Sequence, residues 1–151
     1  MVESGHRTAR TLTRILGVGY LVAAVFNAFY TLSVADTAYW PDGFGETTWL
    51  APYAWLLEHV IQPNGVLFTI GLVVFEVILG LHLLARGRRA EDGLLVATVF
   101  VLLLIPALGF PNWLVNVGLA ALQLWLWSVL RHERLGRVRA AGLPRIGSAP
   151  R

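Results

Sequence analysis

The chain contains no cysteine and no lysine. The first absence excludes disulfides, thiol relays, thiolate metal sites and cysteine nucleophiles. The second excludes a Schiff-base lysine, whether for retinal, pyridoxal phosphate or aldolase-type chemistry. Charge is also scarce. Only 14% of the 151 residues are charged, against about a quarter in an ordinary soluble domain. The space is filled by apolar residues, at 56% of the chain. A soluble single domain of this length and composition has too little polar surface to cover its core. The expected partner is the lipid bilayer. A net charge of +3 would point a soluble protein toward nucleic acid, but the placement of these charges does not.

A membrane-spanning helix needs about 20 mostly apolar residues. Four stretches meet or approach this, at about 15–32, 65–85, 93–110 and 113–130. The last two are separated by Gly109-Phe110-Pro111-Asn112, a turn signal that predicts a tight antiparallel hairpin. The arginines fix the orientation. Arg7, Arg10 and Arg14 lie in the basic segment 1–14. Arg86, Arg88 and Arg89 separate the second and third stretches, and the other six follow the fourth in the tail 131–151. The connection 33–64 has none. With four crossings every arginine falls on one side, and the positive-inside rule makes that side the cytoplasm. The predicted class is all-α: an integral four-helix bundle of a bacterial-type inner membrane, with both termini cytoplasmic. The first stretch is longer than a signal-peptide core and is expected to stay uncleaved. The tail from residue 134 is rich in Arg, Gly, Pro and Ala and is expected to be disordered near anionic headgroups.

The outer connection has two parts. Residues 36–46 read as turn. Beyond them Trp49, Leu50, Tyr53, Leu56, Leu57, Val60 and Ile61 recur at helical spacing. Segment 47–62 is therefore predicted as an amphipathic interfacial helix, serving as a lid over the outer mouth or as an anchor. Trp40, Trp49, Trp55 and Trp113 lie at that boundary, as aromatic belts do.

Glu76 sits near the middle of the second apolar stretch. A carboxylate there costs roughly 2.5–3.5 kcal/mol on insertion scales, so it must face the interior, be protonated or be paired. Amides are the expected partners. In the fourth helix Asn116, Ala120, Gln123 and Trp127 share one face, with Gln123 expected at the depth of Glu76. In the first, Gly19, Ala23 and Asn27 form a ridge that points Asn27 inward. Tyr20 and Tyr30 flank that face. The third helix has little polarity beyond Thr98, and is expected to be the most lipid-exposed. Glu76 has a structural role open to it, as a hydrogen-bonding register pin, and a functional one, as a proton-handling or ligand-binding group.

The histidines do not build a haem site, since only His82 and His132 share a level and His132 lies among arginines. No Walker loop, zinc HExxH or GxSxG nucleophile is present. No metal site and no intrinsic cofactor are expected.

The second stretch reads Glu76-Val77-Ile78-Leu79-Gly80-Leu81-His82-Leu83-Leu84 before a Gly/Arg turn, and the first opens Arg14-Ile15-Leu16-Gly17. Over about residues 11–130 this pattern resembles the DoxX-like family of small four-helix membrane proteins. Members of that family often carry a Lys about ten residues after the first-helix Gly, where this chain has Asn27. The resemblance implies an inner-membrane accessory role close to quinone. A redox partner subunit or a homo-oligomer is expected beside it, with redox chemistry belonging to the ligand or partner. On that expectation Glu76 protonates or hydrogen-bonds a small apolar ligand such as quinone. Asn27, Asn116 and Gln123 orient it, and Tyr20 and Tyr30 line the entrance. The alternatives are a proton-coupled small-molecule exporter and a non-catalytic scaffold subunit.

Overall fold

The structure, a computed structural model, describes residues 2–35, 48–108 and 112–142. The expected turns at 36–46 and 109–111 and the tail 143–151 lie outside the described residues. Every described element is helical. Helix α1 (Val2–Phe26) continues through a π turn, Asn27–Thr31, and a 3-10 turn, Leu32–Val34. Helix α2 (Ala51–Leu56) leads through a π turn, Leu57–Ile61, and a 3-10 turn, Gln62–Asn64, into α3 (Gly65–Leu84). Helix α4 (Arg88–Leu104) ends in the turn Ile105–Ala107, and α5 runs Asn112–Gly142. Four helical runs are long and apolar enough to cross a membrane: Gly5–Val34, Ala51–Leu84, Arg88–Ala107 and Trp113–Arg139. The protein is a multi-pass helical membrane protein.

The bundle closes as a ring. α1 packs most extensively on α3 and α4 on α5, while α3 meets α4 and α1 meets α5. Small residues set the spacing. One face of α1 reads Ala9, Thr13, Gly17, Tyr20, Ala24, Asn27, Thr31, with steps of three and four. Such a face keeps one stripe turned toward its neighbours. At its crossing with α3, Gly17 meets Gly80. A Cβ on Gly80 would lie 2.8 Å from Leu21 Cγ and 2.9 Å from the Gly17 carbonyl oxygen. Backbones can approach this closely only where both helices lack side chains. The core cluster joins Leu79, Leu83, Leu94, Ala97 and Leu126 to Ala9. Large apolar side chains such as Phe29, Leu67 and Val115 are exposed, as a lipid-facing surface requires. Gly87, in the turn between α3 and α4, has φ of 71°, a conformation glycine adopts without the Cβ penalty.

Several expectations are corrected. The close-packing glycine is Gly17, not Gly19. Gly19 has nothing within 4 Å of its would-be Cβ, and the ridge runs through Ala24 rather than Ala23. The α4 span is the most enclosed of the four, at 44% buried against 17–28% for the others. Ala90, Gly93 and Ala97 let α4 nest against α3 and α5, and Thr98 bonds within its own helix, to the Leu94 carbonyl. α5 extends to Gly142, so residues 134–142 of the expected disordered tail are helical. Residues 2–14 of the basic N-terminal segment are helical too, as the start of α1.

The interfacial segment does not stand apart from the second span. Ala51 to Leu84 is one helical run, with its geometry changed around Pro63, which has no N–H to give an α-helical bond. Its contacts to the bundle include buried Leu57 and a hydrogen bond from the Tyr53 hydroxyl to the Leu103 carbonyl of α4. Trp49 and Trp55 are exposed, and Trp55 stacks on His59.

Candidate functional site

In the apolar middle of the spans, two interhelical side-chain pairs stand among the described residues. The first joins α1 to α3. Asn27 Nδ2 donates to Glu76 Oε2 at 2.8 Å, and Thr31 Oγ1 donates to Asn27 Oδ1 at 2.7 Å. Asn27 is thus held at both ends of its amide. Glu76 is 5% exposed, flanked on its own face by Thr69, Leu79, Gly80 and Leu83, all buried. Asn27 also opens the π turn, since the Leu32 N–H reaches back five residues to the Asn27 carbonyl. Single π turns within α-helices recur at functional sites.

The second pair joins α5 to α1. Gln123 is fully buried, and its Nε2 donates to the Tyr20 hydroxyl at 3.2 Å. Tyr20 lies two turns before Asn27 on the same face, about 10 Å along the helix. Amides were expected to partner Glu76; Asn27 does so, while the side-chain bond of Gln123 goes to Tyr20. Two polar atoms on the α5 face are buried without a partner among the described residues: Gln123 Oε1, an acceptor, and Asn116 Nδ2, a donor. Buried polar atoms are almost always satisfied, so an unmet donor and acceptor on one helix face mark a place where a ligand could bind.

Tyr30 does not line this interior. It is 52% exposed, with its ring 5.1 Å from that of Phe26. Of the six residues singled out, Asn27–Glu76 and Tyr20–Gln123 are brought together as pairs. Asn116 stands on the Gln123 face, its amide nitrogen without a partner among the described residues. His82 and His132 each contact the carbonyl four residues earlier, of Ile78 and Ser128.

A second polar cluster at the basic end was missed. Glu91 is 3% exposed, and Arg134 Nε donates to its Oε1 at 2.8 Å, tying α5 to α4. Glu133 accepts from Arg10 and Arg137 and lies 3.9 Å from His6 Nδ1, tying α5 to α1. Both acids could have been found by periodicity. Glu91 leads the buried series Leu94, Thr98 and Val101 on α4, and Glu133 continues the Gln123, Leu126, Leu130 face of α5.

Compared with protein-family models, with curated proteins and with solved structures, the chain matches none. The DoxX-like likeness rests on the Glu76–Leu84 motif and the Arg14–Gly17 opening alone.

Proposed function

We propose that the chain is a DoxX-like accessory subunit of a bacterial inner-membrane redox system, with both termini cytoplasmic, and that its interior holds a small apolar ligand such as quinone. The observation that carries this is the buried Glu76–Asn27 pair, taken with Gln123 Oε1 and Asn116 Nδ2, which are buried on α5 without a partner among the described residues. A quinone or quinol is apolar over most of its surface and carries oxygens that accept or donate. It can receive a hydrogen bond from Asn116 Nδ2 in either state. In the quinol form it can also donate to Gln123 Oε1. Glu76 is the acid suited to exchange a proton with such a ligand, because a midplane carboxyl is costly to keep and usually functional. The redox step itself belongs to the ligand and to a partner subunit.

The test is extraction of purified protein from native membranes, with mass spectrometry of the bound small molecules. Quinone should co-purify with the parent chain and be depleted in Glu76→Ala and Asn116→Leu. Equal quinone in parent and variants, after correction for carried lipid, would remove Glu76 and Asn116 from ligand binding.

A second reading, a non-catalytic scaffold, is favoured by the bond that Asn27 already makes to Glu76. In it the pair sets the register of α1 on α3. The same extraction then yields no quinone, and Glu76→Gln leaves assembly with the partner intact.

A further inference from the structure

At the basic end the helices enclose a cavity of about 400 Å3. Five arginines line it: Arg10 and Arg14 from α1, Arg86 from the turn after α3, and Arg134 and Arg137 from α5. Only two carboxylates share the lining, Glu91 and Glu133. They hold three of the five guanidinium groups, Arg134 on Glu91 and Arg10 and Arg137 on Glu133. Arg14 and Arg86 make no ion pair or side-chain hydrogen bond among the described residues. Part of the wall is apolar, from Leu83, Ala90 and Leu130.

We propose that this cavity binds a phosphate-bearing anion, with Arg14 and Arg86 as the free ligating forks. A planar guanidinium matches phosphate oxygens two at a time, and a phosphate offers enough acceptors for several arginines at once. The apolar part of the wall shields one side of the anion from water, which strengthens the bonds made there. Glu91 and Glu133 hold Arg134, Arg10 and Arg137 in place before the anion arrives, which lowers the ordering cost of binding. The volume lies within the range of about 300–1,000 Å3 typical of small-molecule pockets, so the phosphate can arrive carried on a larger group. Two sources share this chemistry. One is the headgroup of an anionic phospholipid, since Arg14 borders the apolar run of α1. The other is a soluble phosphate compound. Diffuse attraction of headgroups to basic residues is the competing account, and it predicts that any two arginines at this end are equivalent.

The experiment uses the full chain in neutral detergent at fixed salt and follows thermal unfolding. One arm adds short-chain phosphatidylglycerol or phosphatidic acid, and the other adds inorganic phosphate or pyrophosphate. At least one phosphate probe should raise the melting temperature saturably. A response to lipid alone identifies the headgroup, and a response to the soluble anions identifies a free phosphate compound. The double variant Arg14→Gln/Arg86→Gln should weaken the apparent affinity by about tenfold or more, the loss of a charge-assisted bond. The charge-matched control Arg89→Gln/Arg131→Gln, outside the cavity lining, should change it by about twofold or less, as exposed charges do. No response to any probe overturns the proposal, and so does equal weakening by both double variants. Should the first double variant not fold, Arg86→Gln alone serves, because this exposed turn residue has no side-chain partner to lose among the described residues. Unchanged affinity in that variant also overturns the proposal.

Discussion

Asn27 and Glu76 lie 49 residues apart in the chain and 2.8 Å apart in the bundle, where the amide of α1 donates to the carboxyl of α3. Removing the amide should show what the bond contributes. Interhelical polar bonds in membranes average about 0.6 kcal/mol and reach about 1.7. Asn27→Ala is expected to destabilise within that range, measured by reversible unfolding in mixed micelles. Glu76→Gln keeps an oxygen acceptor and should cost less than Glu76→Ala. Equal costs would mean that Asn27 is not the partner that matters.

Gly80→Ala places a methyl group 2.8 Å from Leu21 Cγ and 2.9 Å from the backbone oxygen of Gly17. Leu21 can shift, but the backbone can do so only by separating α1 from α3. Overpacking of this kind costs about 1–3 kcal/mol. Gly19→Ala meets nothing within 4 Å, and should be neutral or gain up to about 1 kcal/mol from helix propensity. Thermal unfolding of the two variants side by side checks the contrast.

Arg134 holds the enclosed carboxylate of Glu91. Arg134→Ala should cost about 1–3 kcal/mol, the cost of leaving a hydrogen-bonded charge unmet. The double variant Arg134→Ala/Glu91→Leu should recover part of that loss, because an apolar pair needs no partner. A double-mutant cycle measures the coupling, and strict additivity would show that the two side chains act independently.

The absence of cysteine makes every introduced cysteine a sole reporter. Cysteines at Glu58 and at Arg88 should react with a membrane-impermeant maleimide from opposite sides of the bilayer. By the positive-inside rule, the Arg88 position should be reached from the cytoplasm. Labelling of both from the same side would refute a four-crossing path.

The four spans were legible because lipid-facing helices must be apolar over their whole length, and runs such as Val66–Val74 leave no other interpretation. Asn27 and Glu76 were legible for the opposite reason: each stands alone in an apolar stretch, so each must find a partner inside. The partner of Gln123 was not. Position along the chain does not say which of several polar groups on a facing helix a side chain will reach, and Tyr20 is amphipathic enough to sit on either face. Gly17 was passed over in favour of Gly19 because the series 19, 23, 27 is as regular as the true face 17, 20, 24, 27. Only packing against Gly80 decides between them. Glu91 and Glu133 were hidden by their neighbours. Acids next to arginines read as solvated charge, and burial of Glu91 depends on α5 continuing past the bilayer to deliver Arg134.

The 31 residues of α5 span about 46 Å at 1.5 Å per residue, while the hydrocarbon layer is about 30 Å thick. A lone helix of that length could lean to suit membranes of different thickness. α5 is not free to lean alone, because Arg134 and Glu133 lash it to α4 and α1 near the bilayer surface. A thinner or thicker membrane must therefore incline the bundle as one body, or strain the lashings that hold it upright.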